Sequence, residues 1–202
     1  MNLIHFVKFT PFALFSLIAA AVAVAAPNLD ELNQFFELDH FNLSFKAGDQ
    51  VNLISKSCLA NHCDISKHQH VVDAANEEQA TIVTRQGNGT EISRALLTES
   101  EWNQNSQNRV QIKIKVMESY GFQVTVQSIE PSSKTLRVNG QPRQLETRIV
   151  QLHGQNKLGM KLLVTMEVTS GLGGIAQILS LSENKGLGTD SYEIQEAFLL
   201  QR

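Results

Sequence analysis

Residues 109–129, RVQIKIKVMESYGFQVTVQSI, constrain the fold more than any other stretch of the chain. Val110, Ile112, Ile114 and Val116 alternate with Gln111, Lys113 and Lys115, the two-residue period of a strand with one face buried. After a break at residues 118–121 the alternation resumes, with Phe122, Val124 and Val126 set against Gln123, Thr125 and Gln127. Two such runs around a glycine-containing break predict an antiparallel hairpin with one apolar face. A lone hairpin is marginal in water, so that face needs a cover, and further strands are the material on offer.

Those strands recur along the chain. Phe41, Leu43 and Phe45 alternate, and Ala47-Gly48-Asp49 turns the chain toward Val51 and Leu53. Residues 81–84 and 91–96 flank Gly87-Asn88-Gly89, a tight-turn signal. Leu136 and Val138 precede the turn dipeptide Asn139-Gly140, and Leu145, Thr147 and Ile149 form the returning strand. Residues 158–169 carry Met160, Leu162, Val164, Met166 and Val168 on one face, with Leu163 suggesting cover on the other. Both methionines read as core filling. A glycine-rich turn at 170–174 and another at 186–188 lead to strands near 175–181 and 192–200. The fold class that follows is all-β, an antiparallel sandwich or barrel of about ten strands. Two stretches stand apart from this rhythm. Residues 57–78 read as a long polar, irregular loop, and 100–108 as an Asn/Gln-rich connector holding the single Trp102.

The first 25 residues have the layout of a secretory leader. Lys8 precedes an apolar run from Phe12 to Val24, and Ala23-Val24-Ala25 supplies small residues before a cut that leaves Ala26 first. The expected organisation is a signal peptide at 1–25 and a single β-rich domain at 26–202. The protein is then exported, periplasmic or secreted. No later segment is apolar enough to span a membrane as a helix. Just inside the mature chain, Asn28 and Glu31 have capping-box spacing, and Leu29, Leu32 and Phe36 share a helical face, so a short N-terminal helix is predicted to pack on the sheet.

Charge excludes one class of partner. The chain has 17 basic and 20 acidic residues. Loss of Lys8 with the leader leaves a mildly acidic domain without the basic footprint of a nucleic-acid binder. An outer-membrane barrel is disfavoured because aromatics make up 6% of residues and the best strands expose Lys, Gln and Thr.

Chemistry concentrates in one segment. Cys58 and Cys63 are the two cysteines of the chain, and His62, His68 and His70 lie beside them. In an oxidising compartment such cysteines form a disulfide, which closes a small loop and pins its geometry. The alternative is a metal site for zinc or copper using His62, His68 and His70, although C-x4-C-x4-H-x-H matches no compact zinc-finger pattern. No nucleophile elbow is present, and the glycines at 171–174 lack the Lys-Ser/Thr of a phosphate loop, so no catalytic residue is assigned and no cofactor is expected beyond that metal alternative. The leading reading is a non-catalytic envelope or secreted protein that binds a macromolecular partner, or assists assembly of a surface structure, through exposed strand edges. The alternatives are a small apolar-ligand carrier with a barrel cavity and a metal-binding protein using the Cys58–His70 segment.

Overall fold

The computed structural model describes residues 29–36, 41–60, 62–104, 109–170 and 172–200. The predicted leader at 1–25, and Asn28 of the predicted capping box, lie outside those residues. In chain order the elements are α1 (Leu29–Phe35), α2 (Phe41–Ser44), β1 (Gln50–Leu59), β2 (His62–Ala75), β3 (Gln79–Gln86), β4 (Glu91–Thr98), α3 (Glu99–Gln104), α4 (Arg109–Ser119), β5 (Phe122–Val138), β6 (Gln141–Asn156), β7 (Lys161–Thr169), β8 (Ile178–Asn184) and β9 (Gly188–Phe198).

The protein is mostly antiparallel β-structure with a short N-terminal helix, as the alternation predicts. Among the described residues there are nine strands in one sheet, ordered β4-β3-β2-β1-β9-β5-β6-β7-β8. The sheet curls until β8 also pairs with β9, Ser180 opposite Glu193 through Asn184 opposite Thr189. Beyond that, the end of β9 meets the end of β5 in a short parallel pairing at Arg137 and Val138. Strands β5 to β9 therefore form a closed ring, and β1 to β4 extend from β9 as a flap. Closure removes the edges of the ring and leaves β4 as the free edge among the described strands.

Two apolar clusters fill this frame. In one, Leu32 and Phe36 of the α1 region and Val110 and Met117 of α4 pack on Val150, Leu152, Val164, Met166 and Val168 of β6 and β7. In the other, Val51, Leu53, Val72, Ile194 and Ala197 of the flap and β9 meet Phe45, Trp102, Leu136 and the Leu172–Leu179 segment. Phe45 stands edge-on to Trp102 at 5.1 Å between ring centres. Tyr192 packs against both clusters.

Several local expectations are corrected. Residues 110–116 are helical, because the residues that alternate also fit a helix: Val110, Ile114 and Met117 are spaced i, i+4, i+7 and reach the ring cluster, while Ile112 reaches the other. Packing on both clusters outweighs the few tenths of a kcal/mol per residue by which β-branched side chains disfavour a helix. Gly121, at φ 82°, ends that helix in the left-handed conformation, so the break is a C-terminal cap and not a hairpin turn. Phe41–Ser44 is likewise a helical turn, with Phe45 N–H donating to Phe41 O at 3.1 Å.

The stretch 57–78 is no irregular loop; most of it is the long hairpin of β1 and β2. The Trp102 connector is helix α3, started by a reciprocal box in which Thr98 Oγ1 accepts from Glu101 N–H and Glu101 Oε2 accepts from Thr98 N–H. The T-x-x-E signal for it was present in the sequence. On β7 Met166 is buried as expected, but Leu163, and Met160 just before the strand, are exposed.

Candidate functional site

The sequence-predicted cluster does not converge. Cys58 and Cys63 face each other directly across β1 and β2 and are joined Sγ to Sγ. The bridge sits just below the hairpin tip. His62, opposite Leu59, is exposed there and bonds Asp64 through Nε2 at 3.2 Å. His68 and His70 share the strand parity of His62 but lie further along β2. Six residues of strand separate His62 from His68, roughly 20 Å at ~3.3 Å per residue. Among the described residues no three His, Cys, Asp or Glu side chains come together as a metal set.

His68 and His70 instead stand opposite Leu53 and Val51, on the inward face of the flap. The start of α4 meets them there. Arg109 is half-buried; its N–H donates to Gln177 Oε1 at 2.7 Å and its Nη1 donates to Gly174 O at 2.9 Å. Gln177, itself buried, thus caps a helix that begins 68 residues earlier in the chain. Burial, then the Arg109 and His68 charges, hold the His70 imidazole down at about 4, so it is neutral at neutral pH. Burial lowers the Arg109 guanidinium and raises the Tyr192 phenol. Among the described residues no serine, cysteine or carboxylate hydrogen-bonds either histidine.

A second feature was not foreseen. An open groove of about 420 Å³ runs beside the C-terminal half of α4. Its floor is apolar: Met117 from the helix, Phe122 from β5 and Leu162 from β7, with Val116 and Met160 at the sides. Gly154 of β6 makes the close packing beneath possible, since a Cβ there would lie 2.9 Å from Met117 Cε and 3.2 Å from Phe122 Cδ1. Lys113, Lys161 and Lys185 edge the groove. Glu183 pairs with both Lys113 and Lys185, and Lys185 also holds Asp190 at 2.5 Å. Lys161 carries no ion pair among the described residues. Sequence reading missed the groove because it placed Lys113 and Val116 on a strand, on opposite faces; helical spacing brings Lys113, Val116, Met117 and Tyr120 to one side.

The apolar face of β6 and β7 is covered by Leu32, Phe36 and Met117, which rank among the largest fully buried side chains.

No family model matches the chain, and no curated protein matches it in sequence. Three solved structures overlay on it in part. One is a candidate exported protein with a YmcC-like fold from Bacteroides fragilis, at 8% identity over 76% of this chain and 96% of that one, with a TM-score of 0.39. Another is a candidate lipoprotein from Parabacteroides distasonis, at 8% identity over 75% and 95%, TM-score 0.38. The third is a LolA superfamily protein from Nitrosomonas europaea, at 9% identity over 88% and 96%, TM-score 0.38. Overlays this loose bear on neither ligand nor partner.

Proposed function

We propose that this chain is an exported, non-catalytic binding protein of the cell envelope or exterior, and that its groove shelters the apolar part of an amphiphilic ligand. The observation that carries the reading is the groove itself: a solvent-open apolar floor of Met117, Phe122 and Leu162 with Lys161, which has no ion pair among the described residues, at its edge. Apolar lining with a few placed charges is the usual composition of a small-ligand site, and a lysine beside it favours an anionic head. Export is supported by the leader-like residues 1–25 and by the bridged Cys58 and Cys63, since disulfides persist in oxidising compartments.

The test is titration of the mature protein with the fluorescent fatty acid cis-parinaric acid. Binding should raise its emission, and Val116→Glu with Met160→Glu should weaken binding by about tenfold or more, since each places a charge against the bound chain. Both positions are exposed, so the fold should survive. No emission gain with the wild type, or an unchanged titration in the double variant, sinks the proposal.

A second reading rests on a different observation. Residues 91–96 of β4, the free edge of the sheet, are exposed along their length, which suits strand addition by a protein partner. A partner recovered by cross-linking from a probe at residue 93, and lost with Ala95→Pro, would favour it.

A further inference from the structure

The strand register gathers the exposed apolar side chains of four connections at one end of the molecule. Phe122 opposite Asn156 sets the α4–β5 turn beside the β6–β7 turn. Leu163 opposite Asn184 sets the β6–β7 turn beside the β8–β9 turn. Leu59 opposite Gly188 sets the β8–β9 turn beside the β1–β2 tip. Along this rim, in order, project Tyr120, Leu158, Leu187 and Leu59, exposed by 76%, 85%, 85% and 68%. Single exposed leucines on a protein surface need no explanation, but these occupy successive turns of one end. At the opposite end the β5–β6 and β2–β3 turns read Asn139-Gly140 and Asn76-Glu77-Glu78.

The rim also has a charge and a stiffness. Lys157 and Lys161 flank Leu158 and have no ion pair among the described residues, whereas Lys185, two positions before Leu187, is paired with Glu183 and Asp190. The Cys58–Cys63 bridge ties the two strands directly below Leu59. We propose that this rim docks on an anionic lipid bilayer, with Leu59, Leu158 and Leu187 entering the acyl region and Lys157 and Lys161 at the headgroups. Lipid fits better than protein because the side chains stand apart on separate turns. A fluid surface closes around isolated knobs, whereas a protein interface needs a contiguous, packed centre. A tyrosine at the edge of the set matches the preference of amphipathic rings for the headgroup level, and lysines next to anionic lipid add electrostatic attraction that salt screens. The rim shares Tyr120 and Lys161 with the edge of the groove, but Leu59, Leu158 and Leu187 lie outside its lining.

The experiment is flotation of the mature protein with phosphatidylcholine vesicles and with the same vesicles doped with phosphatidylglycerol. The doped vesicles should carry the protein upward, and raised salt should reduce the floated fraction. The triple variant Leu59→Ser, Leu158→Ser, Leu187→Ser should partition about tenfold less or weaker still, since each leucine buries apolar area in lipid. Lys157→Glu with Lys161→Glu should abolish the preference for doped vesicles. Unchanged circular dichroism and melting in the triple variant would show that the loss is not unfolding. A wild type that stays at the bottom with both vesicles overturns the proposal, as does a triple variant that floats like the wild type. Retained cis-parinaric acid binding in that triple variant separates the two readings.

Discussion

Gly174→Ala should destabilise the protein by roughly 3 kcal/mol, a large effect for one methyl group on a surface-to-core turn. A Cβ on Gly174 would lie 2.1 Å from Phe45 Cζ and 2.7 Å from each Cε. Carbon atoms in contact prefer about 3.5–4.0 Å, so the ring would have to retreat by well over an ångström. It has nowhere to go. Phe45 is fully buried, stands edge-on to Trp102 at 5.1 Å and lies 5.3 Å from Phe41. The turn cannot yield freely either, because Gly174 O accepts from Arg109 Nη1 at the start of α4. Urea unfolding followed by the fluorescence of Trp102, the single tryptophan, reads the perturbation beside the ring it displaces. Phe45→Leu removes the clashing ring atoms and alone should cost about 1–2 kcal/mol. Combined with Gly174→Ala it should relieve part of the strain, leaving a loss smaller than the sum by about 1 kcal/mol or more. A Gly174→Ala variant within about 0.5 kcal/mol of wild type, or a strictly additive double variant, refutes the argument.

Two further outcomes follow from the inward histidine and from the hairpin tip. Because burial and the Arg109 charge hold His70 near 4, below its ordinary 6.5, the unfolded chain takes up the proton first. Stability should therefore fall as pH drops from about 6.5 to about 4, by at most roughly 3 kcal/mol from this group. His70→Gln should flatten that part of the urea-derived stability profile, and parallel profiles would contradict the assignment. At the tip, the mature protein should show no reactive thiol when denatured without reductant, and two after reduction. Reduction should cost less than about 3 kcal/mol, since the closed loop is short.

The sequence shows most strands and their turns. Asn139-Gly140 marks a hairpin because both residues adopt positive φ, 50° and 79°, as that dipeptide tolerates. The failures have a common cause. Val110, Ile112, Ile114 and Val116 satisfy a strand period locally, and what makes the segment helical is contact of the first three with two apolar clusters drawn from strands up to Ala197. Phe41 and Phe45 are misread as strand for the same reason. The groove inherits the error, because Lys113, Val116 and Tyr120 become neighbours only on a helix. Nor can local pattern show that His70 and Arg109 meet, or that Gln177 caps α4. Those facts belong to pairings between distant segments, as does the shared end of Leu59, Leu158 and Leu187.

Strand β9 touches β1, β5 and β8, and its pairing with β1 joins Gln50 to Phe198. Ring and flap are both completed by it, so during synthesis neither can close until nearly the whole chain has been made. Until then β1 and β8 each present a bare edge, and the apolar face of the β5–β8 meander lacks its closing strand. Contacts of such long sequence separation make slow folding the expectation. Loss of the final dozen residues should not yield a smaller version of the same protein; it should yield no ring at all.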